Sequence, residues 1–233
     1  MTSTRVVLSG VLIALAWTAT GCLAPELDTP PLPDPNEESS SSGAACKEGV
    51  YSANVDLGGA KPAKPYTGEC TIAGSVTFAP TVTADKLLPM LKVQTITGSL
   101  AVPDLSGATD HFGALQTIGG TLTIGGAKLD RISGFPKLAK VTSIFISGGS
   151  AVTTITGFAV LTSVPDGLSI DNLKNVTTID AFPVLSAQHV SVKGCPNLSS
   201  FRAFGSMTTS TKVMLHSLPA LGTLDAFGKS ATS

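Results

Sequence analysis

Large apolar residues recur every 22–24 positions along most of this 233-residue chain. The row consists of Leu88, Phe112, Phe135, Phe158, Phe182, Phe204 and Phe227, and it holds six of the nine phenylalanines. A repeat of this length is typical of a solenoid, in which each turn of the chain stacks only on its neighbours. The spacing therefore constrains the architecture strongly and says little about chemistry.

Further apolar rows keep the same phase as the first. A second row follows three residues after it: Leu91, Leu115, Leu138, Leu161, Leu185 and Met207. Two more rows precede the next large residue: Leu129, Val152, Val176, Leu198 and Leu221, and then Ile132, Ile155, Ile179, Phe201 and Leu224. Rows that stay in phase over successive repeats are not expected from a globular α/β protein, which is the main alternative.

Each repeat also contains a short strand followed by a turn. Apolar pairs two residues apart indicate the strand, because that spacing puts both side chains on one face: Val76/Phe78, Leu100/Val102, Leu122/Ile124, Ile144/Ile146, Leu168/Ile170, Val190/Val192 and Val213/Leu215. Two residues later stands a residue suited to a sharp bend or positive φ: Asp104, Gly126, Gly148, Asn172, Gly194 or Ser217. The short, glycine-rich and β-branched segments between strands disfavour a helical leucine-rich repeat. The sequence therefore predicts a mainly β fold, a parallel β-solenoid of about seven coils over residues 76–233.

Several segments carry the repeat in nearly the same form. Residues 91–100 (LKVQTITGSL), 115–124 (LQTIGGTLTI), 176–182 (VTTIDAF) and 195–198 (CPNL) are examples. They resemble the receptor L domain, a single-strand right-handed β-helix related to leucine-rich repeats, over residues 86–227. The resemblance implies an extracytoplasmic binding module, as in insulin- and EGF-receptor ectodomains, some fungal cell-wall proteins and bacterial surface lipoproteins. No ligand-contact residue carries over, because no functional motif of that family matches this chain.

Residues 1–21 resemble a bacterial export signal. Arg5 supplies the positive charge, and the apolar run from Val6 to Trp17 has the length of a signal core and is too short for a stable membrane span. Residues 19–22 (ATGC) resemble a lipobox, which implies that Cys22 is acylated and becomes the mature N-terminus. The alternative is ordinary cleavage and a secreted protein with a free Cys22 thiol.

Residues 22–45 are predicted to be a disordered tether, because proline, serine and acidic residues dominate this segment. A segment of this length reaches at most ~75–80 Å and typically spans about 25–30 Å. A lipid, a tether and a folded module together predict a membrane-anchored lipoprotein of the cell envelope. Leu23, rather than an aspartate, follows the cysteine, and by analogy with lipoproteins this favours the outer membrane.

Two of the remaining cysteines bracket the segment before the first strand pair. Export would place Cys46 and Cys70 in an oxidising compartment, where a disulfide is expected. Such a bridge would stabilise an N-terminal cap of residues 46–75 by roughly 3–4 kcal/mol. Zinc is the alternative, although two cysteines without nearby histidines make a poor zinc site. Cys195 is predicted to be a buried structural thiol.

Charge and motif content limit the possible functions. The formal net charge is −1 and no basic stripe is present, which argues against nucleic-acid binding. No cofactor or metal motif occurs. A carbohydrate-active β-helix enzyme, similar to polysaccharide lyases or hydrolases, is the alternative function, and it would need paired carboxylates or a calcium-binding acidic cluster. Outward strand positions are mostly Ser, Thr, Ala or Gly, with Asp171 as the one acid among those compared. We therefore expect a binding or structural module for a protein or glycan partner, without catalysis.

One outward patch is the candidate binding surface. Its residues are Phe145, His189, Lys193, Lys212, Met214 and His216. The repeat predicts that His189 lies beside Lys212 and that Lys193 lies beside His216, with the two histidines about 14 Å apart and unable to share a metal. Such a patch suits an acidic glycan or protein, and an ordinary solvated surface is the alternative. An uncapped C-terminal coil is also expected, where a second copy or another partner could pair.

Overall fold

The computed structural model describes residues 45–59, 65–183, 186–204 and 210–225. These residues belong to a compact unit that spans Ala44–Ser233. The export signal, Cys22 and most of the tether lie outside the described residues. Leu185, Met207 and Phe227 of the apolar rows also lie outside them.

The described chain is mainly β-strand. The strands are β1 (Lys47–Tyr51), β2 (Val55–Leu57), β3 (Glu69–Ile72), β4 (Val76–Phe78), β5 (Thr95–Ile96), β6 (Leu100–Ala101), β7 (Thr117–Ile118), β8 (Thr121–Gly125), β9 (Ser143–Ser147), β10 (Thr154–Ile155), β11 (Ser163–Val164), β12 (Gly167–Asp171), β13 (Thr178–Asp180), β14 (Ser186–Lys193), β15 (Ser200–Arg202), β16 (Ser210–His216) and β17 (Thr223–Leu224). One short helix, α1 (Ala84–Leu87), and two 3-10 helices, Leu88–Lys92 and Ala108–Phe112, complete the elements.

The strands stack as a parallel β-solenoid of about seven turns, which confirms the predicted fold class. The largest sheet has the order β11-β14-β12-β9-β8-β6-β4-β2, and β16 also pairs with β14. Two four-stranded sheets have the orders β1-β3-β5-β7 and β10-β13-β15-β17. Each strand pairs with its counterpart one repeat later, as Leu100 does with Leu122 and Leu122 with Ile144. Most turns therefore contribute two or three short strands, where the repeat indicated one.

The interior is a continuous apolar core with a column of phenylalanine rings along it. Phe112, Phe135, Phe158, Phe182 and Phe204 are each 0% exposed. Successive ring centroids lie 5.5, 5.3, 4.7 and 5.9 Å apart, and neighbouring ring planes differ by 7° to 19°. The phenylalanine row is therefore an internal stack, with one ring in each turn.

The prediction that the first residue of each of two apolar rows, Leu88 and Leu91, lies in the interior is wrong. Leu88 and Leu91 are 55% and 44% exposed, whereas Met90 and Val93 are 0% exposed. The Val93 amide donates to the Met90 carbonyl, as the Leu115 amide does to that of Phe112, so Met90 and Val93 occupy the interior positions of this turn. The helical segment from α1 to Lys92 holds two sets of apolar residues on opposite sides, and the set in phase with the repeat is the outer one.

The turn that follows each of the strands β8, β9, β12, β14 and β16 adopts the positive φ that was predicted. Gly126, Gly148 and Gly194 have φ of 131°, 70° and 65°, and Asn172 and Ser217 have φ of 57° and 56°. Glycine adopts positive φ without steric cost and asparagine tolerates it better than most residues, which explains four of these five residues; Ser217 is the exception.

Residues 46–75 carry β1, β2 and β3, which pair in parallel with the strands that follow. The predicted disulfide is confirmed, since Cys46 is bonded to Cys70 and their Cα atoms lie 5.0 Å apart. It joins the start of β1 to β3, the strand beside it. The side-chain amide of Gln94, which lies one turn after Cys70, donates to Cys46 Sγ at 3.3 Å.

Two carboxylates accept hydrogen bonds from loops, Asp130 from the preceding turn and Glu69 from its own loop. The Gly107 amide and the Ser106 hydroxyl donate to the Asp130 carboxylate, and these hydrogen bonds hold its pKa below the ordinary value. For Glu69, burial acts to raise the pKa, but hydrogen bonds from its own backbone and from the amide and hydroxyl of Thr67, together with the charge of Lys47, outweigh it and the pKa is lowered.

The last described turn is more exposed than those before it. Val213 pairs with Val190 and Leu224 with Phe201, in the predicted register. Their exposed fractions are nevertheless 38% and 49%, because no further described turn covers them. A contact between copies at this end stays a prediction.

Candidate functional site

The outward face of the largest sheet between β9 and β16 holds all six candidate residues, and we call it the binding face. Parallel register places its side chains in rows that run across the strands. The central row is Phe145, Ser169, Ser191 and Met214, and it continues onto β8 at Thr123. Because side chains alternate along a strand, this row and the rows two residues away on either side point away from the core.

The basic residues occupy two neighbouring strands, β14 and β16. His189 is the register partner of Lys212, and Lys193 is the partner of His216, as the repeat predicts. All four side chains are exposed. The His216 ring Nδ1 and the Ser217 hydroxyl are 2.7 Å apart, and the His189 ring lies directly over Gly167, where an added Cβ would sit 2.5 Å from its Cε1. The lack of a side chain at Gly167 thus makes room for the imidazole.

Asp171 is the acid of this face, and its contact with Lys193 was not predicted. The Lys193 Nζ lies 3.4 Å from Asp171 Oδ2. The Asp171 side chain is only 9% exposed, and its other oxygen, Oδ1, is buried with no hydrogen-bond partner among the described residues. Lys193 therefore compensates a buried carboxylate, and His189, Lys212 and His216 remain as basic groups with no described acidic partner.

Two large apolar side chains flank the polar centre of the face. Phe145 is 38% exposed and Met214 is 41% exposed. They lie in the same row, separated by Ser169 and Ser191, which is about 14 Å at the usual strand spacing. A ligand that contacts both would cover Ser169 and Ser191 and would pass between the basic residues.

Carboxylates on the outward side of this sheet are far apart. Asp56 lies on β2 and Asp171 on β12, and four strands separate them in the sheet. In the part of the chain that the structure describes, no three His, Cys, Asp or Glu side chains are grouped to hold a metal ion. The arrangement of this face thus supplies positive charge and apolar contacts rather than a pair of acids.

Cys195 lies behind the face, in the core. It is 0% exposed, and its thiol is 3.6 Å from the Lys193 carbonyl. Burial raises the pKa of the Cys195 thiol, a hydrogen bond involving the Leu173 backbone opposes this rise, and the negative charge of Asp171 adds to it. Only the thiolate is nucleophilic, so this cysteine has the structural character that its position predicts.

No family model matches the chain, and no curated protein or solved structure is significantly similar to it. None of the helices in the described residues has the length and apolar character needed to cross a membrane.

Proposed function

We propose that this protein is a lipid-anchored module of the cell envelope, similar in kind to receptor L domains, that binds an acidic glycan or protein partner through the binding face and catalyses no reaction. The observation that carries the proposal is the grouping of His189, Lys193, Lys212 and His216 on two adjacent strands, opposed by the single carboxylate of Asp171. The exposed lysine ammonium groups attract anionic partners, the imidazole rings can hydrogen-bond them, and Phe145 and Met214 add apolar contact.

The N-terminal sequence supports the proposed envelope location. A positive residue, a short apolar run and Ala19-Thr20-Gly21-Cys22 precede a segment rich in proline, serine and acid. Acylation of Cys22 would attach several hydrocarbon chains to one residue, and stable anchoring requires more than one chain. The outer membrane is the proposed site, and secretion after ordinary cleavage is the alternative.

The anchoring proposal is tested by palmitate labelling of the full chain in a bacterial host. We expect the wild type to be labelled and to partition into detergent. The Cys22→Ala variant should show neither the label nor this partition. Label that persists in Cys22→Ala, or a wild type that is cleaved and unlabelled, would rule out the anchor at this residue.

The binding proposal is tested with immobilised acidic polysaccharides and with envelope extracts. We expect the protein to be retained on the polysaccharide in a salt-sensitive way, because exposed charges at a binding surface are screened by salt. Retention should fall about tenfold in His189→Gln/Lys212→Gln. These two residues are chosen since neither contacts Asp171 in the described structure. The matched control is Lys137→Gln/Lys174→Gln, which removes two exposed lysines away from this sheet face. Equal retention of both variants would contradict the proposal, and cleavage of a polysaccharide by the wild type would favour the enzyme alternative.

A further inference from the structure

The two exposed leucines, Leu88 and Leu91, have no large apolar counterparts in the three turns that follow. Leu88 and Leu91 stand two residues before and one residue after Met90, the interior residue of their turn. The equivalent positions around Phe112, Phe135 and Phe158 are polar or small: Asp110 and Gly113, Ser133 and Pro136, and Thr156 and Ala159. The repeat itself therefore does not require leucine there, and the exposed pair needs another explanation.

These leucines border an open hollow of about 580 Å³ at the N-terminal end of the solenoid. Pro89 and Tyr66 form part of its wall, and Lys47 and Lys92 lie at its margin. The Tyr66 ring packs edge-on against Tyr51, with centroids 5.6 Å apart, and its hydroxyl donates to the Glu69 carbonyl at 2.7 Å. Tyr66 in the wall is thus held by the fold, and the hollow combines apolar surface with two lysines.

The charged residues that line the hollow are both positive. Glu69 is the register partner of Lys47, but it is 6% exposed and its carboxylate accepts hydrogen bonds from Thr67. It does not line the hollow. Lys47 and Lys92 can extend their ammonium groups beyond the leucines, as lysines do beside apolar surfaces.

The chain also enters the folded module at this hollow. Ala45, the first described residue, lines it, and Cys46 is fixed to Cys70 by the disulfide. The 22 residues 23–44 separate Ala45 from Cys22, so an anchor at Cys22 would attach the module to the membrane through this end of the solenoid.

We propose that the surface formed by Leu88, Leu91, Lys47 and Lys92, here called the membrane patch, rests on a bilayer that contains anionic phospholipid. The leucines enter the headgroup region and the lysines contact lipid phosphates, which is the arrangement of interfacial membrane-binding surfaces. This inference rests on the proposed anchor at Cys22, and the patch would fix the orientation of the anchored module.

The test uses the unacylated chain that begins at Leu23, so that binding by the patch is measured without the anchor. This chain contains the whole compact unit, and circular dichroism confirms folding of each variant. The probe is sedimentation with phosphatidylglycerol-rich vesicles and with pure phosphatidylcholine vesicles, at low and at high salt. We expect binding to the anionic vesicles that is weakened by salt and lowered about tenfold or more in Leu88→Ser/Leu91→Ser and in Lys47→Gln/Lys92→Gln.

Matched controls separate the patch from general surface effects. Val160→Ser/Leu224→Ser removes two apolar side chains of similar exposure, 48% and 49%, elsewhere on the solenoid. Lys137→Gln/Lys174→Gln removes two other exposed lysines. Equal binding by patch and control variants would overturn the proposal. A wild type that binds neither kind of vesicle would also overturn it. The same holds if light scattering shows that the patch joins two copies of the chain and the wild type does not bind vesicles. Palmitate labelling at Cys22 is measured on the full chain, so failure of the anchor and failure of the patch are observed separately.

Discussion

Truncating Phe158 to alanine tests the internal ring stack most sharply. Phe158 lies in the middle of the five parallel rings, with Phe135 at 5.3 Å and Phe182 at 4.7 Å between centroids. It is 0% exposed, so the full transfer free energy of the ring is lost. The rings on both sides are held by their own turns and cannot close the cavity, which adds to the cost.

We expect Phe158→Ala to lower the free energy of unfolding by about 4–5 kcal/mol, the upper part of the range for buried phenylalanine. Two lost ring contacts, each about 0.5–1.5 kcal/mol in favourable stacks, argue for the upper part. Because whole domains are stable by only about 5–15 kcal/mol, the loss is large and easily measured. The assay is urea unfolding followed by circular dichroism, with the disulfide kept intact.

The matched control is Phe145→Ala, which removes the same ring from the binding face. Phe145 is 38% exposed and has no ring partner among the described aromatic contacts, so we expect a cost below about 1 kcal/mol. An equal loss in the free energy of unfolding for the two variants would refute the argument that the phenylalanine row is an internal stack and that Phe145 on the sheet face lies outside it.

Three further predictions concern the cap, the loops and the buried thiol. Reduction of the Cys46–Cys70 bridge should lower the free energy of unfolding by roughly 3–4 kcal/mol, measured by urea unfolding with and without reductant, and Cys46→Ala/Cys70→Ala should be insensitive to reductant. The low pKa values of Glu69 and Asp130 contribute stability that is fully present above the unfolded carboxyl pKa of about 4 and is lost as pH falls through the lower folded values. The urea midpoint should therefore fall in acid, and it should fall less in Glu69→Gln/Asp130→Asn; an unchanged acid response would contradict the assignment. Cys195 should react with a thiol reagent only in denaturant, and rapid labelling of the folded chain would contradict its burial.

The architecture could be predicted from the sequence because a solenoid repeats one local pattern. Pairs such as Leu122/Ile124 fix which strand face is inward, and a constant repeat then fixes the register between turns. The neighbours of His189 and Lys193 followed from that register without any knowledge of side-chain conformation. The disulfide followed from the position of two cysteines at one end of the repeats.

The prediction of buried residues was wrong where the local pattern is compatible with two different apolar sets. In residues 84–93, Leu87, Met90 and Val93 form one apolar set and Leu88 and Leu91 form another, and hydrophobicity alone does not decide which is buried. The spacing to Phe112 favoured the wrong set. The exposure of Val213 in the last described turn agrees with the open C-terminal coil that the sequence led us to expect.

The contacts within the binding face could be predicted only in part. Register placed His189 beside Lys212 and Lys193 beside His216, but the contact of Lys193 with Asp171 and the burial of that carboxylate were not predicted, because they depend on side-chain conformation. The space for His189 likewise depends on Gly167, whose missing side chain has meaning only once the strands are paired.

Site-specific photo-crosslinking in the native envelope tests the central functional claim most directly. A photoreactive residue placed at Met214 reports on the binding face, and one placed at Val160, which has similar exposure, reports on a different surface. We predict a discrete crosslinked partner from Met214 that is absent from Val160 and is lost in His189→Gln/Lys212→Gln. The same products from both positions, or products from Met214 that survive loss of the basic residues, would contradict the claim that this face binds the partner.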